Sequence, residues 1–319
     1  MKLTGTFICG TEIDIPSNNW GEKEWRREFE IMKTIGIDTV VLIHSGFRNL
    51  ATFPSKTLRR HISDIRFSDN DMIELFLVLS SEFDIEFYMG TYVGALWGYT
   101  PDNCKEVMEN EFIINNELIE ELWDRYGKSP AFAGWYNSFE LNTEWQVCTD
   151  IVRKIGENCK KISGNKPVLL SPYYIPYEYY IKKNKPLPEN VSCESDNMEH
   201  HVKQWDEILS KLEGAVDIIA FQDADNQNLE QFLSMNAKLI KKHNMKTWGN
   251  VETFSRRTSI KFPPIDWQTL KWKMDVMNKV GNYEKSISFE LPHFMSPNAF
   301  WPSGKCLFNR YCEYFNISL

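Results

Sequence analysis

No glycine-rich phosphate loop follows any apolar run of this chain, although 16 glycines are spread along its 319 residues. That absence weighs against a doubly wound nucleotide-binding sheet, which needs such a loop at a helix N-terminus. The seven cysteines (Cys9, Cys104, Cys148, Cys159, Cys193, Cys306 and Cys312) are odd in number, and no two have C-x-x-C spacing. A zinc ribbon, a redox motif and a disulfide framework are therefore not expected, and reduced, mostly buried thiols are. No basic stripe is present and the formal net charge is −8, so no nucleic-acid partner is expected. There is no H-E-x-x-H metal motif, and neither a metal nor a cofactor is predicted. No apolar run is long enough to span a membrane, and Met1-Lys-Leu-Thr-Gly5 lacks the apolar core of a secretion signal. These features predict a cytoplasmic protein without a membrane partner; a secreted chain trimmed of its leader would read the same way.

What is abundant is aromatic: 14% of residues, with 11 tryptophans. Flat rings beyond what a core needs suit the apolar faces of sugars, so an aromatic-lined cleft is one expectation and a tryptophan-rich core the other. The stretch Phe132-Ala-Gly-Trp-Tyr-Asn-Ser-Phe-Glu140 opens apolar, as a strand covered on both faces does, and ends in Trp135, Tyr136, Asn137 and Glu140. A helical pattern follows from about Thr143 to Lys161. A strand that delivers a carboxylate just before a helix is how α/β barrels build active sites, although Glu140 could equally cap that helix or pair with a surface lysine.

The same unit recurs along the chain. Strands are predicted at about Leu3–Cys9, Asp38–Ile43, Ile85–Thr91, Phe132–Glu140, Pro167–Ser171, Val216–Phe221, Lys246–Val251 and Ser286–Phe289. Helical periods lie between them, at about 22–35, 69–81 (capped by Asp69), 102–126, 143–161, 200–212, 228–243 and 266–280 (capped by Asp266), and a last one follows strand eight. Continuous rather than alternating apolarity in the strands suits a parallel sheet with both faces covered. Eight alternating units predict one (β/α)8 TIM barrel domain spanning 1–319. The stretch from Pro176 to Glu199 has no clear period and reads as a long loop after strand five, a candidate lid over the cleft. His200 and His201, at the start of the next helix, are expected to be solvated.

In a barrel all strand C-termini face one way, which would gather Glu140, Asp223, Glu252 and Glu290 at one rim. Two carboxyl groups flanking a sugar bond suffice for glycoside hydrolysis: one protonates the leaving oxygen, and the other attacks the anomeric carbon or activates water. Trp97, Trp135, Tyr136, Asn137, Tyr173, Gln222, Asp223, Trp248, Asn250, Glu290, His293 and Trp301 are the candidate substrate-binding residues. Trp20, Tyr99 and Tyr174 also lie near strand ends, and about half of these aromatics are expected to pack loops instead. Asp223 could bind a sugar hydroxyl or cap helix six. His293 could orient Glu290, while His44 is expected to be structural. Arg256 and Arg257 could meet solvent, fix a loop acid or take an anionic substrate group.

The segments Gly134-Trp-Tyr-Asn-Ser-Phe-Glu140 and Asp217-Ile-Ile-Ala-Phe-Gln-Asp223 resemble a bacterial barrel family known as domain of unknown function 4434 and regarded as glycosidase-like. The resemblance covers most of the chain. Pairing a strand-four glutamate with a strand-seven glutamate is also the pattern of the clan A retaining glycoside hydrolases. By position that resemblance implies Glu140 as acid/base and Glu252 as nucleophile, acting on a carbohydrate. Two departures stand out: the clan's asparagine before the acid/base is Phe139 here, with Asn137 nearest, and strand eight ends in Glu290 where the clan often has tryptophan. The competing readings are a metal-dependent sugar isomerase or epimerase and a non-catalytic carbohydrate-binding barrel. Oligomeric state is not legible.

Overall fold

The computed structural model of the chain describes residues 1–11, 16–94, 104–224, 227–256, 259–260 and 262–318. Eight strands close into a barrel: β1 (Gly5–Ile8), β2 (Thr39–Leu42), β3 (Glu86–Gly90), β4 (Phe132–Asn137), β5 (Val168–Leu170), β6 (Ile218–Gln222), β7 (Lys246–Glu252) and β8 (Lys285–Phe289). Each pairs in parallel with its sequence neighbours, and β8 closes onto β1 through the register Gly5–Ile287 and Thr6–Ser288. The crossover helices are α1 (Glu22–Ile35), α2 (Met72–Phe83), α3 (Cys104–Tyr126), α4 (Thr149–Ser163), α5 (Glu194–Leu212), α6 (Leu229–Lys242) and α7 (Trp267–Val280), and α8 (Pro302–Tyr314) follows the last strand. This is the expected (β/α)8 TIM barrel. Among the described residues no helix is long and apolar enough to cross a membrane.

Strand alternation divides the core into two layers. In β6, Ile218 and Ala220 point into the lumen, while Ile219 and Phe221 join the layer beneath the helices. The lumen is filled by Phe7, Val41, Tyr88, Tyr136, Leu169, Trp248 and Ile287, with Phe7 edge-on to Tyr136 at 5.4 Å and Tyr88 edge-on to Trp248 at 5.4 Å. Outside, α1 buries Trp25, Phe29, Met32 and Ile35 at helical spacing and stops at Gly36, which takes the left-handed conformation at φ 89°. Gly90 lets β3 approach β2: a Cβ there would lie 2.1 Å from the Ile43 carbonyl oxygen. At the base, Lys285 Nζ donates to Asp38 Oδ1 at 2.7 Å and Glu86 Oε2 at 2.9 Å, tying the N-terminal ends of β8, β2 and β3 together. Buried Glu28 of α1 accepts from Ser296 Oγ at 2.8 Å and Asn298 Nδ2 at 3.0 Å, which anchors the segment after β8.

Several local expectations are corrected. The cap of α2 is Asp71, whose side chain accepts from Glu74 N, rather than Asp69. The helix expected from Thr143 divides into a 3₁₀ turn (Thr143–Cys148), capped by Asn142, and α4. The stretch from Pro176 to Glu199 is not periodless throughout, because it holds a short helix (Tyr177–Lys182) and the start of α5 at Glu194. His201 is consequently inside α5 and buried, bonded to Asn236 Oδ1 at 3.0 Å and packed on Tyr174 and Phe221. The loop after β2 carries strands Gly46–Phe47, Leu50–Ala51 and Arg66–Phe67, which form a small sheet with Tyr92–Val93. Cys148 is disulfide-bonded, against the expectation of reduced thiols, whereas Cys9, Cys159, Cys193, Cys306 and Cys312 are in no disulfide.

Candidate active site

Glu140, Asp223, Glu252 and Glu290 stand at the C-terminal ends of β4, β6, β7 and β8 and therefore share one rim. Glu140 lies just beyond β4 and is half-buried. Gln222, the last residue of β6, donates Nε2 to Glu140 Oε1 at 3.2 Å and to the Ser171 carbonyl at 3.3 Å. Beneath it lies a polar layer centred on Ser171. Its Oγ donates to the Ala220 carbonyl at 2.7 Å and accepts from Asn250 Nδ2 at 2.9 Å, and the Tyr136 hydroxyl bonds to the same side chain. Burial pushes the Tyr136 phenol well above its ordinary range and the Glu140 charge adds to the effect, so Tyr136 is a neutral donor below the rim.

Glu252 ends β7 and is 1% exposed. Its carboxylate receives both arms of Arg256, Nη2 at 2.5 Å and Nε at 3.2 Å. The guanidinium lies over the rings of Phe254 at 4.8 Å and Phe262 at 5.6 Å. Burial lowers the Arg256 guanidinium, but the charge and hydrogen bond of Glu252 outweigh it and the net direction is up. Arg256 thus pairs with the strand-end acid Glu252, whereas the sequence suggested solvent, a loop acid or an anionic substrate group. Tyr173, half-buried after β5, is raised by burial, opposed by Arg256 and raised further by both Glu252 and Glu140. It lies in the field of both glutamates.

Asp223 does not cap helix α6, one of its two expected roles. Helix α6 is capped at Asn228, and the Asp223 carboxylate turns outward to Lys273 Nζ of α7 at 2.8 Å. Burial pushes Asp223 up to about 6, against the pull of Lys273 and with the push of Glu252. Glu290 is fully buried, and its Oε2 accepts from the Cys9 backbone N–H at 2.7 Å, joining the ends of β8 and β1. His293 packs edge-on against Phe294 at 4.4 Å, and Trp301 caps α8 beside Phe300. His44 is buried on Phe47 and bonded to Thr11 Oγ1, and burial pushes its imidazole down to about 3, which leaves it neutral.

Three expected ligand residues face elsewhere. Trp135 is fully buried between β4 and α4, where Nε1 donates to Ser163 Oγ at 3.1 Å. Asn137 has the same parity and donates Nδ2 to the Val152 carbonyl of α4 at 3.0 Å. Trp248 points inward, but low in the lumen, under Lys285 Nζ at 5.5 Å. Trp97, Tyr99 and Arg257 lie outside the described residues. Ser171 and Lys273 were not anticipated. Lys273 did carry a signal, since it shares the buried face of α7 with Leu270, Met274 and Met277. Among the described residues no group of three or more His, Cys, Asp or Glu side chains is arranged to hold a metal.

Residues 3–301 match the family DUF4434, a domain of unknown function, and the chain belongs to that family. A solved structure described as a "putative alpha-L-fucosidase from Bacteroides thetaiotaomicron VPI-5482" is 36% identical, with a TM-score of 0.87 over 100% of this chain and 94% of that one. The endo-1,4-beta-D-mannanase of Thermotoga petrophila RKU-1 superposes with a TM-score of 0.57 at 12% identity, covering 91% of this chain and 88% of that one. A GH18 chitinase from Pseudoalteromonas aurantia does so at 0.54 and 10% identity, covering 96% and 98%. At those two identities the likeness is one of fold. No curated protein sequence matches the chain.

Proposed function

We propose that this chain is a retaining glycoside hydrolase in which Glu140 is the general acid/base and Glu252 the nucleophile. One observation carries the reading: the two glutamates share a rim, each held by its own partner, Gln222 or Arg256, with Tyr173 in the field of both. Glu140 protonates the glycosidic oxygen as Glu252 attacks the anomeric carbon. The bond to the leaving group breaks and a glycosyl–Glu252 ester forms. Glu140, now a carboxylate, then takes a proton from the water that releases the sugar. Arg256 supplies the counter-charge to Glu252 before attack. Tyr173, Asn250, His293 and Trp301 are the remaining candidates for contact with the sugar. The segment 176–199 is proposed to lie over the cleft mouth as a lid.

The substrate class is a carbohydrate. The 36% identical relative is described as a "putative alpha-L-fucosidase", so a 4-nitrophenyl α-L-fucoside belongs in a panel of aryl glycosides tested on the wild-type chain. Glu140→Gln should abolish turnover of glycosides with poor leaving groups yet spare glycosylation by an activated aryl glycoside, whose departure needs no proton. Glu252→Gln should abolish both. Full activity in Glu252→Gln together with its loss in Glu290→Gln would transfer the nucleophile's role to β8.

A further inference from the structure

The peptide that carries Glu252 is held by a buried ion pair for which the proposed chemistry has no direct use. In the ladder between β6 and β7 the last register pair is Gln222 with Asn250, so β6 has ended before β7 reaches Glu252. On its other side β7 continues, pairing Glu252 with Phe289. The N–H and C=O of one strand residue point to the same side, so a peptide group past the end of a neighbouring strand loses its partner. Here the pair replaces the strand. Glu252 N donates to Asp223 Oδ1 at 3.3 Å, and Lys273 Nζ donates to the Glu252 carbonyl at 3.1 Å. Lys273 Nζ also donates to Asp223 Oδ1 at 2.8 Å, which closes the three groups into one cluster.

Asp223 and Lys273 are each 1% exposed. Burying such a pair is unfavourable unless geometry and hydrogen bonds are good, and an apolar pair of similar volume often serves stability as well or better. The barrel does not need the pair to close, because β6 and β7 are already joined along five register pairs. What the pair adds is a fixed direction for the last residue of β7.

We infer that Asp223 and Lys273 are positioning residues that hold the backbone of Glu252 so that its carboxylate keeps one orientation at the rim. The inference rests on the reading of Glu252 as nucleophile, and the pair itself touches no substrate. A misplacement of about 1 Å at a reacting group lowers turnover by roughly 100-fold. The effect should therefore fall on kcat, with KM little changed.

The test uses the full chain and four variants: Lys273→Met, the neutral double variant Asp223→Leu/Lys273→Met, Asp223→Ala and Asp223→Asn. Urea unfolding reports whether each is folded, kinetics are read on the aryl glycoside that the wild-type chain cleaves fastest, and amide hydrogen exchange is followed at Glu252. The double variant leaves no buried charge unpaired, so it reports on the clamp even if Lys273→Met does not fold. The expected result is a kcat lowered about 100-fold in the double variant, an unchanged KM and faster exchange at Glu252. Asp223→Asn, which keeps the oxygen acceptor, should recover much of what Asp223→Ala loses. A folded double variant with wild-type kcat overturns the inference. So do equal losses in Asp223→Asn and Asp223→Ala with KM moving as far as kcat, the mark of a purely structural pair. If the wild-type chain cleaves no glycoside, the proposed function falls. The clamp is then judged on exchange alone, and unchanged protection at Glu252 rejects it.

Discussion

Gln222 ends β6 with its side-chain amide 3.2 Å from Glu140 Oε1, so the carboxylate beyond β4 is oriented by a strand two places away in the barrel. The same amide is anchored on the Ser171 carbonyl of the intervening segment. A hydrogen bond to a charged group contributes about 1.5–3 kcal/mol. Gln222→Leu should therefore lower kcat/KM by roughly ten-fold or more on glycosides with poor leaving groups. On an activated aryl glycoside, measured side by side, the glycosylation step should be nearly unaffected.

Glu28 predicts a pH-dependent stability far from the rim. Burial raises its carboxyl from 4.5 to about 7, against the hydrogen bonds from Asn298 and Ser296. With the folded value above the unfolded one, the folded state binds more protons between the two, and stability falls as pH rises through that window. The loss is on the order of 3 kcal/mol between about pH 4.5 and 7, with a plateau above. Glu28→Gln keeps an oxygen acceptor and removes the ionisation. The difference in urea-unfolding free energy between pH 5 and pH 8 should shrink by that amount in the variant, and an unchanged difference would refute the assignment.

Glu194, in the first turn of α5, accepts from the Tyr174 hydroxyl and, at 3.0 Å, from the Tyr177 backbone N–H. It thereby staples the short helix Tyr177–Lys182 to the barrel wall. Glu194→Ala should speed amide exchange across 174–182 without changing the unfolding midpoint greatly. If this segment covers the cleft mouth, KM for the cleaved glycoside should rise several-fold while kcat holds.

The barrel was legible because each strand is a short continuous apolar run followed by an amphipathic period, a pattern that survives without knowing any contact. The rim carboxylates followed from strand order alone. The facing of individual side chains did not. In β4 the residues are apolar or polar without alternation, so Trp135 and Tyr136 read alike; parity places one against α4 and the other in the lumen. Trp248 failed for a different reason: it lies on an inward face, but near the wrong end of its strand. The role of Asp223 was hidden because its partner Lys273 comes from α7, and sequence distance gives no hint of that contact. The cap of α2 was displaced by two positions because Asp69 and Asp71 are chemically equivalent until the backbone selects one.

The aromatic packing of the lumen fixes the traffic of ligand. Phe7, Tyr136, Tyr88 and Trp248 fill the space below Ser171 and Asn250, and Lys285 with its two carboxylates seals the far end. Among the described residues this packing closes the lumen toward its base, so on the proposed function a sugar that enters over Glu140 and Glu252 leaves by the same mouth. If the proposed function holds, a released sugar and an incoming glycoside occupy the same rim in turn, and inhibition by the released sugar should be competitive.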